Sequence, residues 1–94
     1  MSHFEKALKA TVRMLDIRDK VKWLHGNNYE RIIAPWKEVI TKVSEAKRIS
    51  PVATAIMLCS DGDLKYDNQA QLLVIAATTE VLNDQKTKSE AHGV

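Results

Sequence analysis

Three histidines and one cysteine are the residues of this 94-residue chain best suited to catalysis or metal binding. Their spacing argues against both. His3, His25 and His92 stand near the start, at a predicted helix end and in a polar tail. None has a second ligand one helical turn away, as a zinc site on a helix requires. His25 fits better as a cation at a helix C-terminus. Cys59 lies inside the apolar run Val52–Cys59, with no histidine nearby in sequence to act as its base. It reads as a small buried hydrophobe. A single cysteine also excludes an intramolecular disulfide.

The segment Asp61-Gly62-Asp63-Leu64-Lys65-Tyr66-Asp67 opens like a calcium loop and then departs from one. Lys65 stands at the third ligand position, Tyr66 at the glycine position and Leu72 at the twelfth. It reads as a turn. The glycines Gly26, Gly62 and Gly93 are isolated, so there is no phosphate-cradling loop. No serine sits in a nucleophile elbow. The sequence therefore implies no enzyme, no cofactor and no metal.

Three constellations remain, all suited to binding. Lys6, Lys9, Arg13 and Lys20 share one side of the first predicted helix, with Asp16 at the edge, and could lie along phosphates of a nucleic acid or nucleotide. Met14, Ile17, Val21 and Leu24 form a 3-4-3 seam, and Trp23 stands off it among Asp16, Asp19 and Lys20. These five are the candidate interface with a second copy or another protein, with Trp23 as anchor. Tyr29, Arg31 and Trp36 surround a proline, Pro35, and are a candidate pocket.

The elements that must position these residues are helical. Ser2 and Glu5 have capping-box spacing, which starts the first helix at His3. Gly26 should end it in a left-handed C-cap. That helix carries two apolar stripes, one through Phe4, Leu8, Leu15 and Val12 and one through Ala10 and the seam. It therefore needs two partners. From Asn27 to Ile49 the residues Tyr29, Ile32, Ile33, Trp36, Val39, Ile40 and Val43 fall on one stripe of a second helix, with Asn27 and Glu30 as its cap. The stripe keeps its phase across Pro35, which favours one kinked helix over two separated ones.

Ser50-Pro51 starts a third helix, and a fourth begins after Asp63 or Asp67. Both are apolar around most of their circumference. Segments 52–59 and 71–79 are also rich in β-branched residues, so an α+β domain with two strands there is the competing reading. Their alanines and the lack of period-two alternation favour helix. The expected fold is all-α, a small bundle of four helices (three to five) spanning 1–84 as one domain. Residues 85–94 are polar without periodicity and read as a disordered tail.

The totals agree with a small globular domain: 45% hydrophobic and 28% charged, with a net charge of +2. The charge is uneven. Residues 1–50 hold eleven Lys/Arg against six Asp/Glu, and residues 51–94 hold three against six. Such a dipole suits an anionic partner or head-to-tail meeting of two copies. The longest uncharged run, Ile49–Ser60, is shorter than the roughly 20 residues a membrane helix needs, and no secretion signal opens the chain. The expectation is a cytoplasmic, non-catalytic interaction or regulatory protein, an inhibitor among the possibilities, working as a homo-oligomer. Accessory proteins of phages and mobile elements are often chains of this type. The alternative is a helical nucleic-acid or nucleotide binder using the basic face.

Overall fold

The computed structural model describes the backbone of residues 3–61 and 63–92 and the side chains of residues 9–60 and 64–85. The fold is all-α. Four α-helices follow one another, α1 (His3–His25), α2 (Tyr29–Lys47), α3 (Pro51–Asp61) and α4 (Asn68–His92). Single 3-10 turns, Gly26–Asn28 and Asp63–Tyr66, precede α2 and α4. No strand occurs among the described residues, and 52–59 and 71–79 are both helical.

Local chemistry explains most boundaries. Gly26 takes φ +53°, the left-handed conformation that glycine adopts at no steric cost. The capping bond expected of Asn27 and Glu30 is absent. Asn28 is the N-cap instead, and its side chain makes no capping bond. Its Oδ1 accepts from the Arg31 guanidinium at 3.1 Å. The entry into α2 passes through the 3-10 turn, which moves the helix start beyond Asn27. Ser50 caps α3 as its position suggests: its Oγ accepts from the Ala53 amide at 3.1 Å, and Pro51 fills the first helical position. Asp67 does the same for α4, its Oδ1 accepting from the Ala70 amide at 3.0 Å. The Ser2–Glu5 cap lies outside the described residues.

α2 runs through Pro35 without interruption. Pro35 and Arg31 both lie on the exposed side. The Arg31 carbonyl, which loses its partner to the proline ring, can therefore be met by water. α2 ends at Arg48, which has φ +56°, while the amides of Arg48 and Ile49 both reach back to the Ser44 carbonyl.

α4 packs against all three other helices, and α2 also meets α3. Val74, Ala76, Ala77 and Thr78 of α4 have no exposed surface, and Ile33 and Ile40 of α2 close over them. Thr78 and Thr79 turn their hydroxyls onto the carbonyls of Val74 and Ile75 one turn back, at 2.7 and 2.8 Å. That satisfies both hydroxyls inside the helix and leaves methyl groups for the core. At the α2–α3 contact Ser44 Oγ and Thr54 Oγ1 share a buried hydrogen bond of 2.7 Å. α4 continues to His92, past the polar 85–92 segment that reads as a tail in sequence. Nothing before Gly93 breaks a helix, and Gln, Lys, Glu and Ala there all tolerate one.

Two stability outcomes follow. Ile33 is fully buried, so Ile33→Ala should lower unfolding free energy in urea by about 2–5 kcal/mol. Arg48→Gly should raise it by about 0.5–1 kcal/mol. The left-handed conformation costs a non-glycine residue about 1–2 kcal/mol, and glycine's extra chain entropy returns only part of that.

Candidate interaction groove

α1 and α3 both lean on α4 but do not meet. Among the described residues no Cα of α1 comes within 8 Å of one in α3. The gap between them is a trench floored by α4. Its larger part, about 560 Å³, is walled by Met14 and Ile17 of α1 and by Val52, Ile56 and Cys59 of α3, over Leu72 and Ile75. An adjoining part of about 440 Å³ shares Met14 and Val52 and continues to Leu15, Arg18 and Leu82. The walls are mostly apolar, and their described charged side chains are Arg13 and Arg18.

α3 explains why the trench stays apolar. Before its last residue, Asp61, it carries no charge, and its outward positions are Val52 and Ile56. Ile56 is 61% exposed and Leu72, on the floor of the trench, 42%. The sequence suggests that α3 would be buried on more than one side. It is buried on one: Thr54 and Ala55 face α2 and α4, and the other apolar side has no neighbour among the described residues.

The five candidate interface residues divide. Met14 and Ile17 line the trench and are half-buried. Val21 is only 5% exposed and belongs to the core with Tyr29 and Val74, so it has no surface left for a partner. Its seam spacing reflects packing within the chain. Trp23 and Leu24 are 84% and 69% exposed and point away from the core.

The candidate pocket at Pro35 does not assemble. Tyr29 is buried and Trp36 packs against the core, but Arg31 stands on the opposite, exposed side of α2 and bonds to Asn28. Arg31 is two residues from Tyr29 and five from Trp36, and either step carries it about half a turn away from that stripe.

Of the basic face, Lys9, Arg13 and Lys20 are exposed, and the side chain of Lys6 lies outside the described residues. Asp16 stands between Arg13 and Lys20 on the same face. The face alternates in sign, which suits a phosphate backbone less well than a uniform cationic strip.

One polar cluster has no counterpart in the local sequence patterns. Tyr29 Oη donates to Glu80 Oε1 at 3.0 Å, and Arg18 Nε lies 3.8 Å from the same carboxylate oxygen. The Lys22 ammonium sits 5.6 Å from the Tyr29 ring centre. These residues tie α1, the start of α2, and α4 together. Tyr29 and Glu80 are 51 positions apart and Arg18 is farther still from Glu80, which hides the cluster from any local pattern. Burial first, then the bond to Glu80, pushes the Tyr29 hydroxyl well above its ordinary range. Cys59 is also pushed up by burial, which keeps its thiol protonated and weakly nucleophilic near neutrality. Among the described residues no three His, Cys, Asp or Glu side chains gather as a metal site, and no helix is long and apolar enough to cross a membrane.

No protein-family model matches the chain, and no curated protein or solved structure matches it at a significant level.

The tyrosine cluster makes a pH dependence testable. The folded state holds Tyr29 neutral where the unfolded chain would release the proton, so the unfolded state binds fewer protons above about pH 10. Stability from this group is full below pH 10 and falls as pH rises past it. Tyr29→Phe should cost about 1 kcal/mol at pH 7 and should show a smaller alkaline loss than the parent, read by urea unfolding at both pH values.

Proposed function

We propose that this small four-helix bundle is a non-catalytic interaction protein. It self-associates, and it receives in the α1–α3 trench an amphipathic helix of a partner whose function it regulates. The observation that carries the reading is the trench itself: an open apolar channel with Ile56 exposed on its α3 wall and Leu72 on its α4 floor. Helix-in-groove recognition needs such a channel and three or four anchors at one-turn spacing. Each well-buried leucine-sized anchor contributes about 1.5–3 kcal/mol of apolar transfer, enough for micromolar binding once ordering costs are met. The charged groups on the walls are arginines, so the incoming helix carries acidic residues along the edge that meets α1.

A panel of amphipathic helical peptides, identical on the apolar face and either acidic or basic on the flanks, tests this. The acidic-flanked peptides should bind the parent protein by fluorescence anisotropy, more weakly as salt rises. Ile56→Asp should cut their affinity at least about tenfold while leaving the helical signal intact, since Ile56 is exposed. Binding that favours basic flanks, or that Ile56→Asp leaves unchanged, would contradict the reading. A change in oligomeric state in Ile56→Asp would instead assign the trench to a second copy.

A further inference from the structure

Lys9, Arg13, Asp16, Lys20 and Trp23 follow one another along α1 at alternating steps of four and three, and all five are exposed. That is the spacing of a coiled-coil seam. Here it faces outward, about a quarter to a third of a turn from Met14 and Ile17. Trp23, at 84% exposure, is the largest apolar surface on it. Toward the other end of the stripe, Lys9, Val12, Arg13 and Asp16 bound a shallow depression of about 320 Å³. Their spacing of i, i+3, i+4 and i+7 is that of the hole into which a facing helix places a knob.

We infer that a second copy of this chain supplies the knob. Two α1 helices pack antiparallel about a two-fold axis near Arg18, and Trp23 of each enters the depression of the other. The inference rests on the reading of the chain as self-associating and names the surface that does it. The charges set the direction. A parallel pair would oppose Arg13 to Arg13, Asp16 to Asp16 and Lys20 to Lys20. In the antiparallel pair, setting Trp23 opposite Arg13 places Asp16 opposite Lys20 of the other copy, twice. No free choice remains after the first placement. The Arg13 guanidinium lies over the indole, a favoured cation–π arrangement. Exposed ion pairs contribute little by themselves, so Trp23 is the anchor and the charges fix register and direction. The stripe borders the trench at Arg13, which lines both, while Met14, Ile17 and Ile56 lie off the stripe and stay uncovered.

Sedimentation equilibrium at low salt, over concentrations on the order of tens of micromolar, tests the pairing. The parent should show a monomer–dimer equilibrium that weakens with salt. Asp16→Lys and Lys20→Asp should each weaken it about tenfold or more, and the double variant should return to within about threefold of the parent, because the pair re-forms with its signs exchanged. Trp23→Ala should weaken it at least about tenfold. The helical signal should be unchanged throughout, since none of these side chains enters the core. A dimer indifferent to the single reversals, or not restored in the double variant, would overturn the α1 pairing and leave self-association standing. A parent that stays monomeric would overturn both.

Discussion

The structure depends on the burial of α4 from nearly every direction. Val74, Ala76, Ala77 and Thr78 lie on different sides of that helix, and all are inaccessible to water. Only a helix with neighbours on three sides can achieve this, and α4 has α1, α2 and α3. Small residues make it possible. Ala70, Ala76 and Ala77 let the surrounding backbones approach, and the two buried threonines satisfy their hydroxyls on their own helix. A chain of this length buries only about 60–65% of its unfolded surface, so its few large core residues concentrate where α2 meets α4.

The trench follows from the same arrangement. α1 and α3 settle on α4 without reaching one another, and Leu72, Ile75 and Leu82 of α4 lie between them. A longer α3 or larger side chains at Val52 and Ile56 would fill the gap. The chain instead places uncharged residues there and keeps its charges elsewhere. Salt bridges lie at the outer seams, such as Lys37 with Asp84 at 3.0 Å between α2 and α4. Among the described residues the Tyr29–Glu80–Arg18 cluster brings charge inward, and no buried side-chain polar atom there lacks a partner. That cluster fixes how α1 lies against α4, and so fixes one wall of the trench.

Local rules made the helices legible in the sequence. Gly26, Ser50-Pro51 and Asp67 each mark a boundary through a backbone or capping requirement that operates within four residues. The unbroken stripe from Ile32 to Ile40 revealed that α2 runs through Pro35. What could not be read was which of α1's two stripes faces inward. Both are apolar, and the choice is made by α4, some fifty residues away. Hence Val21 reads as an interface residue and proves to be core, while Val12 and Leu15 are left exposed. Periodicity groups the side chains that share a face but carries no information on what covers that face. The same limit applies to α3: its sequence is apolar all round, and only the fold shows which side lacks a neighbour. Tyr29, Arg31 and Trp36 are close along the chain but do not share a helical face: Arg31 is exposed, while Tyr29 and Trp36 turn toward the core.

The central claim is that α4 is the element on which the other helices depend. Native-state hydrogen exchange at increasing denaturant tests it most directly. Backbone amides from Val74 to Val81 should exchange only through global unfolding, with the full unfolding free energy, while amides of α1 open at lower cost because α1 leans chiefly on α4, and those of α3 because it is short and leaves Val52 and Ile56 uncovered. Exchange of the α4 amides through a partial opening, with α1 or α3 still protected, would contradict it.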